Sequence, residues 1–268
     1  MLSQQQIAEF RERGFLKVGR VLDEKRSAAL RKRLDDVMEG RSTAQPEAKR
    51  NLLGNEEWVV IQVVNIWEAD ELFREQLNNP TVCQMACELI GTDVLRVWHD
   101  QAQYKPPKVG GPTYWHQDHP YWPIIQPADL VSAWLALDDA TVENGCMSMV
   151  PRSHKWGPHK GGTVGTTPDF MPDYDPLLVP EGETVEVVPC EVKAGEVMFH
   201  HCLTWHGGPP NRSDRGRPAL AIHYMPGYTR YVPIGTHLIQ HRVEVEPGEI
   251  LEGQYFPTVW DHGSVAFC

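Results

Sequence analysis

The chain has 268 residues, and 41% of them are hydrophobic, which is enough to bury the core of one domain with extensions. Its 25 basic and 36 acidic residues give a net charge of −11, which disfavours a nucleic-acid partner because phosphate binding depends on clustered Lys and Arg. No apolar run approaches the roughly 18 residues of a membrane-spanning helix, and no secretory signal is recognisable, so we expect a cytoplasmic enzyme without a membrane partner. Both a monomer and a homodimer are compatible with the sequence.

The first 92 residues are predicted to be mainly helical and to support the rest of the chain. Caps and apolar stripes indicate three helices: one after Ser3, one after Asp23, and one over about residues 80–90 that ends at Gly91. Between the first two, the segment GFLKV is typical of a strand. Residues 40–50 are polar and lack a period, which indicates a mobile loop.

Residues 93–226 are predicted to form the core, a sandwich or jelly roll of many short strands. Apolar runs alternate there with Gly/Pro turns, as in VLRVWHDQAQY, LVSAWLAL, CMSMV, TVEVV, EVMFHHCLTW and ALAIHYM. Residues 151–182 hold many Gly and Pro without a period, which indicates a long functional loop inserted in this core. Residues 227–268 are interpreted as a C-terminal extension of the same single domain.

Six cysteines are scattered through the chain without a C-x-x-C pair: Cys83, Cys87, Cys146, Cys190, Cys202 and Cys268. The first two have the spacing of neighbours on one helix face. We interpret all six as reduced packing residues rather than as metal ligands or disulfide partners.

The triplet His116-Gln117-Asp118, taken with His206, is the strongest candidate for chemistry. Alternate residues of an extended strand share a face, so His116 and Asp118 would point the same way. The segment FHHCLTWHGG would likewise project His206 inward near the mouth of a barrel. Two imidazoles and one carboxylate can close one face of a metal ion, as in non-haem Fe(II) oxygenases. The triplet alone is weak evidence, since chance supplies roughly 0.7 of them in a chain of this composition.

Three further residues near these candidates carry a charge or a ring nitrogen. His200 is expected to support a ligand or to pack, and His201 to be structural. Arg217 begins the apolar strand RPALAIHYM, where a buried cation needs an anionic partner. Its planar guanidinium suits a carboxylate bound in bidentate fashion. A surface salt bridge is the alternative for Arg217 taken by itself.

Three blocks together resemble the phytanoyl-CoA dioxygenase family of Fe(II)- and 2-oxoglutarate-dependent oxygenases: YWHQDHPYW, AWLALDDATVENGCMSMVPRSHK and WHGGPPNRSDRGRPAL. The resemblance implies a mainly β fold with flanking α-helices, a double-stranded β-helix of the jelly-roll, cupin-like type. It also implies that His116, Asp118 and His206 are the catalytic residues and hold Fe(II), with 2-oxoglutarate and O2 as co-substrates. The intact Asp118 favours hydroxylation over halogenation, because related halogenases replace this carboxylate by a small residue.

The same resemblance implies residues for the co-substrate. Arg217 would bind the distal carboxylate of 2-oxoglutarate, and Trp134 and Gln101 would line its pocket. Many relatives have Ser or Thr two residues after the distal histidine, where this chain has Gly208. Ser132, which shares a predicted strand face with Trp134, is our candidate for the replacement hydroxyl.

The implied reaction is hydroxylation of an aliphatic C–H bond of a small molecule, with release of succinate and CO2. Tyr114, Trp122 and His119 are candidates for substrate contacts, and a packing or surface role is the alternative for each. The basic stretch 152–160 could steer an anionic substrate, with a solvated loop as the plainer interpretation. A cupin-like isomerase or hydrolase would use the His/Asp face without needing Arg217, and a non-enzymatic binding jelly roll would need no metal.

Overall fold

The computed structural model describes residues 1–54, 59–159 and 179–266, and the backbone of two short strands between the last two ranges. Its helices are α1 (Gln4–Arg13), α2 (Glu24–Met38), α3 (Ile66–Ala69), α4 (Glu71–Leu77) and α5 (Pro80–Ile90). Its strands are β1 (Phe15–Arg20), β2 (Ala48–Asn51), β3 (Ile61–Val64), β4 (Val94–Lys105), β5 (Thr113–His116), β6 (Ile125–Gln126), β7 (Val131–Ala136), β8 (Met147–Met149), β9 (Gly165–Thr166), β10 (Pro172–Asp173), β11 (Val188–Cys190), β12 (Glu196–His201), β13 (His206–Gly208), β14 (Arg217–Pro226), β15 (Arg230–Tyr231), β16 (Thr258–Asp261) and β17 (Ser264–Val265). In these ranges no helix is long and apolar enough to cross a membrane.

The three predicted helices are confirmed, and each begins or ends at the predicted cap. Ser3 and Gln6 form a reciprocal capping box at the start of α1. The carboxylate of Asp23 accepts a hydrogen bond of 2.6 Å from the amide of Arg26 at the start of α2. Gly91 ends α5 with a φ of 81°, a left-handed conformation that glycine adopts without strain.

The larger layer is a nine-stranded antiparallel sheet in the order β1-β12-β7-β14-β4-β16-β17, with β3 paired to β4 and β2 to β3. Because β3 and β16 pair with opposite ends of the long strand β4, they cover an edge that would otherwise be exposed. The sheet therefore extends beyond the predicted core at 93–226 into both flanking segments. The loop predicted at 40–50 ends early, since Ala48 already pairs with Val64.

The central strands β7 and β14 are buried on both faces, which explains their nearly continuous apolar sequence. Their outward-facing residues share one hydrophobic cluster with the helices, including Ala133, Leu135, Leu220 and Ile222 with Leu30, Leu34, Phe73 and Ala86. Their inward-facing residues belong to a second cluster, which includes Trp134, Ala136, Ala219, Ala221, Met147 and Met149. The helices thus support the sheet from outside, and the inner face is left for a site.

The second layer is a four-stranded antiparallel sheet in the order β11-β8-β13-β5, which packs over the inner face of the large sheet. The two layers form the predicted jelly roll. The prediction of one continuous strand through FHHCLTWHGG is wrong, because β12 ends at His201 and β13 begins at His206 in the other sheet. Strand periodicity carries no signal for a crossing between sheets, so the sequence pattern missed this turn.

The predicted loop insertion at 151–182 contains a 3-10 turn over Ser153–Trp156 and a short antiparallel pair of β9 with β10. Residues 160–164, 167–171 and 174–178 lie outside the described residues. The five described cysteines are buried and form no disulfide, in agreement with their interpretation as packing residues. Cys268 lies outside the described residues.

Candidate active site

The three predicted metal-binding residues lie together where β5 ends and β13 begins. The Oδ1 atom of Asp118 is 3.6 Å from Nε2 of His116 and 3.6 Å from Nε2 of His206. The centroids of the two imidazole rings are 4.1 Å apart. One ligand atom from each residue can be chosen so that all lie within 4.8 Å of one another, which is close enough to bind a single ion.

Strand pairing positions the two histidines, and a turn positions the aspartate. His116 and His206 are direct partners across β5 and β13, and such facing residues have Cβ atoms about 5 Å apart. The predicted extension of the strand to Asp118 is wrong: β5 ends at His116, and Asp118 has helical angles (φ −72°, ψ −50°) before the 3-10 turn 119–121. The amide of Asp118 donates to the carbonyl oxygen of Cys202 at 2.9 Å, which anchors this turn beside the segment leading to His206.

Backbone carbonyls orient both imidazole rings. Nδ1 of His116 donates to the carbonyl oxygen of Tyr114 at 2.8 Å, and Nδ1 of His206 donates to that of Thr204 at 2.9 Å. Because the proton is then on Nδ1, the Nε2 atom of each ring keeps its lone pair for a metal. Burial, and then the neighbouring His116, hold the pKa of His206 well below its usual range, so this ring is neutral.

Asp118 is fixed through its other oxygen. Oδ2 accepts hydrogen bonds from Nε2 of His200 at 3.0 Å and from the hydroxyl of Ser132 at 3.2 Å. Burial alone would raise the pKa of Asp118, but the surrounding imidazoles hold it well below its usual range and keep the carboxylate charged. His200, expected from sequence to support a ligand or to pack, therefore orients the carboxylate.

Ser132 lies at the level of the metal-binding residues rather than beside Arg217. It pairs across the sheet with His200 on one side and His223 on the other, and its Oγ atom is 2.7 Å from Nδ1 of His223. Its hydroxyl is thus already bonded to Asp118 and His223. The expectation that Ser132 replaces the hydroxyl missing at position 208 is not supported by this placement.

Arg217 is the first residue of β14 and is 1% exposed. Its Cζ atom lies 5.4 Å from the ring centroid of Trp134, and its Nε and Nη1 atoms find no hydrogen-bond partner among the described residues. Burial lowers the pKa of Arg217 to about 10, so the guanidinium is still charged at neutral pH. The alternative of a surface salt bridge is wrong for this residue, and a buried cation of this kind requires an anion.

Gln101 is part of a row of three hydrogen-bonded polar side chains, with Gln62 and Arg50. The sequence pattern did not predict the last two. Its Oε1 atom accepts a hydrogen bond from Nε2 of Gln62, and Nε of Arg50 donates to Oε1 of Gln62 at 2.7 Å. All three residues line a cavity of about 650 Å³ that also reaches His116 and Asp118. Arg50 and Gln62 arrive on the β2–β3 hairpin, whose pairing with β4 leaves no local signal in the sequence.

The three predicted substrate residues have different environments. Tyr114 and Trp122 both line the cavity, the first half exposed and the second buried. Trp122 packs its ring edge-on against His223, with centroids 4.7 Å apart. His119 is not among the cavity-lining residues, and its Nε2 atom donates to the carbonyl oxygen of Ile125 at 3.1 Å.

Acidic neighbours pair with the arginine and the lysine in the described part of the basic stretch 152–160. Arg152 forms ion pairs with Glu12 and Glu183, and Lys155 binds Glu12 at 2.6 Å. Over residues 152–159, these pairs offset the positive charge on which steering of an anionic substrate would depend. Lys160 lies outside the described residues.

Solved structures with this architecture identify the class of protein. The non-haem α-ketoglutarate-dependent carbocyclase SnoK from nogalamycin biosynthesis has a TM-score of 0.80 and 32% identity, covering 96% of both chains. EctD from S. alaskensis, solved with 2-oxoglutarate and 5-hydroxyectoine, has a TM-score of 0.74 over 88% of this chain and 80% of that one, and its 20% identity extends the likeness to the fold alone. The fold and the two-histidine, one-carboxylate centre are those of a non-haem, 2-oxoglutarate-dependent oxygenase.

Sequence comparison gives the family. The family model for phytanoyl-CoA dioxygenase (PhyH) matches residues 10–219. The peroxisomal phytanoyl-CoA dioxygenase of Rattus norvegicus is 30% identical over 210 residues, 74% of this chain and 59% of that protein, so the match spans less than two thirds of its length. A probable α-ketoglutarate-dependent hypophosphite dioxygenase of Stutzerimonas stutzeri is 32% identical over 136 residues, 48% of this chain and 45% of that protein. The chain belongs to the phytanoyl-CoA dioxygenase family, as the three sequence blocks indicated.

Proposed function

We propose that the protein is an Fe(II)- and 2-oxoglutarate-dependent dioxygenase that oxidises an aliphatic C–H bond of a polar small molecule. The observation that carries this proposal is the combination of a two-histidine, one-carboxylate face with the buried Arg217, whose Nε and Nη1 atoms have no hydrogen-bond partner among the described residues. The face suits a metal ion, and Arg217 requires an anion. A cupin-like isomerase or hydrolase would have no use for Arg217, and a binding jelly roll would have no use for either feature.

The donor set fits Fe(II), since two neutral imidazole nitrogens and one carboxylate oxygen leave the opposite side open for other ligands. Bound iron would supply O2 activation coupled to decarboxylation of 2-oxoglutarate to succinate and CO2, chemistry that side chains alone do not perform. The chain's own residues supply orientation. His200 and Ser132 hold Asp118 in place, while Arg217 would fix the far end of 2-oxoglutarate beside Trp134.

The cavity beside the metal-binding face indicates the kind of substrate. Its volume of about 650 Å³ suits a small molecule, and its lining mixes polar and aromatic side chains, including Arg50, Gln62, Gln103, His237, Tyr114 and Trp122. Such a lining favours an oxygenated or anionic molecule over a bare hydrocarbon. The substrate in the name of the rat relative is not assigned to this chain, because a shared fold and metal centre do not determine the substrate.

Ring closure is a second outcome for the same site, favoured by the match to the carbocyclase SnoK over 96% of both chains. Hydroxylation and cyclisation would begin with oxidation of the same type of C–H bond. A hydroxylated product gains one oxygen atom from O2, whereas a cyclised product loses two hydrogen atoms. The mass of the product formed under isotopically labelled O2 therefore distinguishes them.

Anaerobic titration tests the proposal without a known substrate. We expect Fe(II) followed by 2-oxoglutarate to produce the visible charge-transfer band of a metal-bound oxo acid. His206→Ala should abolish this band, because it removes one of three metal-binding groups. His262→Ala, which changes an exposed imidazole, should keep it. Absence of the band in the wild type despite metal uptake would contradict the proposed function.

A further inference from the structure

A second buried cation lies beside Arg217. Lys105 is the last residue of β4, is 0% exposed, and is the direct cross-strand partner of Arg217 on β14. Directly opposed residues of an antiparallel pair project from the same face, with Cβ atoms about 5 Å apart. Two positive side chains placed together in the interior repel each other, and their burial is very costly unless an anion compensates them.

Within the described residues, no carboxylate supplies that compensation. Among the described residues, only ionisation of the Cys146 thiol would favour the charged form of both side chains. Burial raises the pKa of Cys146 itself to about 11, so this thiol is neutral at physiological pH. Burial, and then the neighbouring Arg217, hold the pKa of Lys105 well below its usual range. An anionic ligand beside both groups would favour the charged form of Lys105 and offset its repulsion with Arg217.

Lys105 and Arg217 also have N–H groups without a hydrogen-bond partner among the described residues. The Nζ atom of Lys105 donates to the carbonyl oxygens of Pro209 at 2.7 Å and Gly208 at 3.3 Å, which leaves one of its three N–H groups. The Nε and Nη1 atoms of Arg217 have no partner among the described residues. The unused donors belong to two side chains on the same face of the sheet.

The ammonium group of Lys105 contacts the strand that carries one of the three metal-binding residues. Gly208, which Nζ contacts, follows His206 by two residues on β13, or roughly 7 Å along the strand. A Cβ atom at Gly208 would lie 3.4 Å from Nζ, and one at Gly145 would lie 3.2 Å from it. Glycine at both positions therefore leaves space around the ammonium group.

The alternation of side chains along β4 also places Lys105 on the face of the sheet that lines the cavity. His99, Gln101 and Gln103 line the cavity that reaches the metal-binding residues. Alternate residues of a strand share a face, so Lys105 is the next member of this row. On the paired strand β14, Ala219 and Ala221 lie on the same face, between Arg217 and His223. Their small side chains leave space along this face of the sheet.

We propose that Lys105 is a binding residue for 2-oxoglutarate, and that its ammonium group and the guanidinium of Arg217 together hold the distal carboxylate. This inference rests on the proposed function and on the role given there to Arg217. The alternative is that Lys105 only ties the backbone of Gly208 and Pro209 in place. A backbone tie would affect every oxo acid equally, whereas a carboxylate contact affects only those with a distal carboxylate.

The test is an anaerobic titration of the Fe(II)-loaded protein with two oxo acids. The intensity of the charge-transfer band measures how much of each oxo acid is bound. One is 2-oxoglutarate, and the other is 2-oxopentanoate, which has the same carbon chain without the distal carboxylate. We expect Lys105→Met to raise the Kd for 2-oxoglutarate at least about tenfold, because a charge-assisted bond is lost, and to leave the Kd for 2-oxopentanoate within about twofold. Lys108→Met, at an exposed lysine paired with Asp214, should change neither value.

A second variant guards against a folding defect. Lys105→Gln removes the charge but keeps an N–H donor for the carbonyl oxygens of Gly208 and Pro209, and we expect the same selective loss. Unchanged affinity for 2-oxoglutarate in either folded variant, or an equal loss for both oxo acids, would overturn the assignment of Lys105.

The wild type provides a check that needs no variant. In a crystal grown anaerobically with Fe(II) and 2-oxoglutarate, Nζ of Lys105 should lie within hydrogen-bonding distance of the distal carboxylate. A carboxylate that contacts Arg217 alone would overturn the inference and leave the proposed function intact. Failure of the wild type to bind 2-oxoglutarate at all would overturn both.

Discussion

Asp118 divides its two oxygen atoms between orientation and metal binding. Oδ2 is bonded to His200 and Ser132, which leaves Oδ1 facing the Nε2 atoms of the two histidines. Partners of this kind fix the angle of a ligand and typically contribute 10- to 100-fold to metal affinity. The residues that hold the ligands therefore matter nearly as much as the ligands themselves.

Ser132→Ala tests this contribution at the scale of one hydroxyl. We expect the Kd for Fe(II) to rise about tenfold, because one of the two hydrogen bonds that orient Asp118 is lost. Competition with a chromophoric chelator under anaerobic conditions would measure it. Ser27→Ala removes another buried hydroxyl, on α2 and away from the site, and should leave the Kd unchanged. An unaltered Kd in Ser132→Ala would show that His200 alone suffices.

At the scale of elements, the N-terminal segment holds the turn that delivers His206. The turn between β12 and β13 carries the chain from one sheet to the other. The carbonyl oxygen of Gly14, at the C-terminal end of α1, accepts hydrogen bonds from the amide of His201 at 2.9 Å and the hydroxyl of Thr204 at 2.8 Å. Because the carbonyl of Thr204 in turn orients His206, the first helix supports the metal-binding face indirectly.

Gly14→Ala should destabilise the protein through this contact. Gly14 has a φ of 83°, and a Cβ atom there would overlap the side chains of His154 and Thr204. We expect the free energy of unfolding to fall by about 2 kcal/mol or more, combining backbone strain with overpacking. Gly40→Ala is a matched control, since its φ is 74° but nothing lies within 4 Å of a Cβ, and it should cost about 1 kcal/mol. Equal losses in urea unfolding would contradict this role of Gly14.

At the scale of the whole molecule, desolvation keeps several histidines outside the three candidate ligands neutral. His99 is buried, and His201 and His237 are partly buried. Burial lowers the pKa of His99 and His201 to about 3 and that of His237 to about 4. In the unfolded chain such groups titrate near pH 6.5. As the pH falls below that value, the unfolded state gains protons that the folded state does not take up. Stability from these groups is therefore complete above about pH 6.5 and is lost as the pH falls toward their folded pKa values.

We expect the free energy of unfolding of the metal-free protein to decrease between about pH 6.5 and pH 5, by up to about 1.4 kcal/mol per pH unit for each such histidine. Urea unfolding across this range would measure the slope. His201→Asn keeps an acceptor for the amide of Leu203. It should lower the slope of the unfolding free energy against pH by up to the contribution of one bound proton. His262→Asn, at an exposed site, should not reduce it. An identical slope in wild type and His201→Asn would contradict the linkage.

Much of the fold could be predicted because its signals are local. The caps Ser3 and Asp23, the C-cap Gly91 and the apolar runs of the central strands lie within a few residues of what they determine. Where the chain crosses from one sheet to the other after His201, no local pattern marks the change, and the predicted strand ran too far. The cytoplasmic location and the choice between monomer and homodimer stay predictions.

The sequence by itself determined which residue types could perform the chemistry: two histidines, a carboxylate and an arginine that enters an apolar strand. Only the tertiary structure decided how they meet. His116 faces His206 through strand register, Asp118 reaches them from a turn, and Ser132 donates a hydrogen bond to Asp118. Lys105 contacts Gly208 from 103 positions away. Register between distant strands is set by the packing of the whole sheet, and for that reason no single segment encodes these contacts.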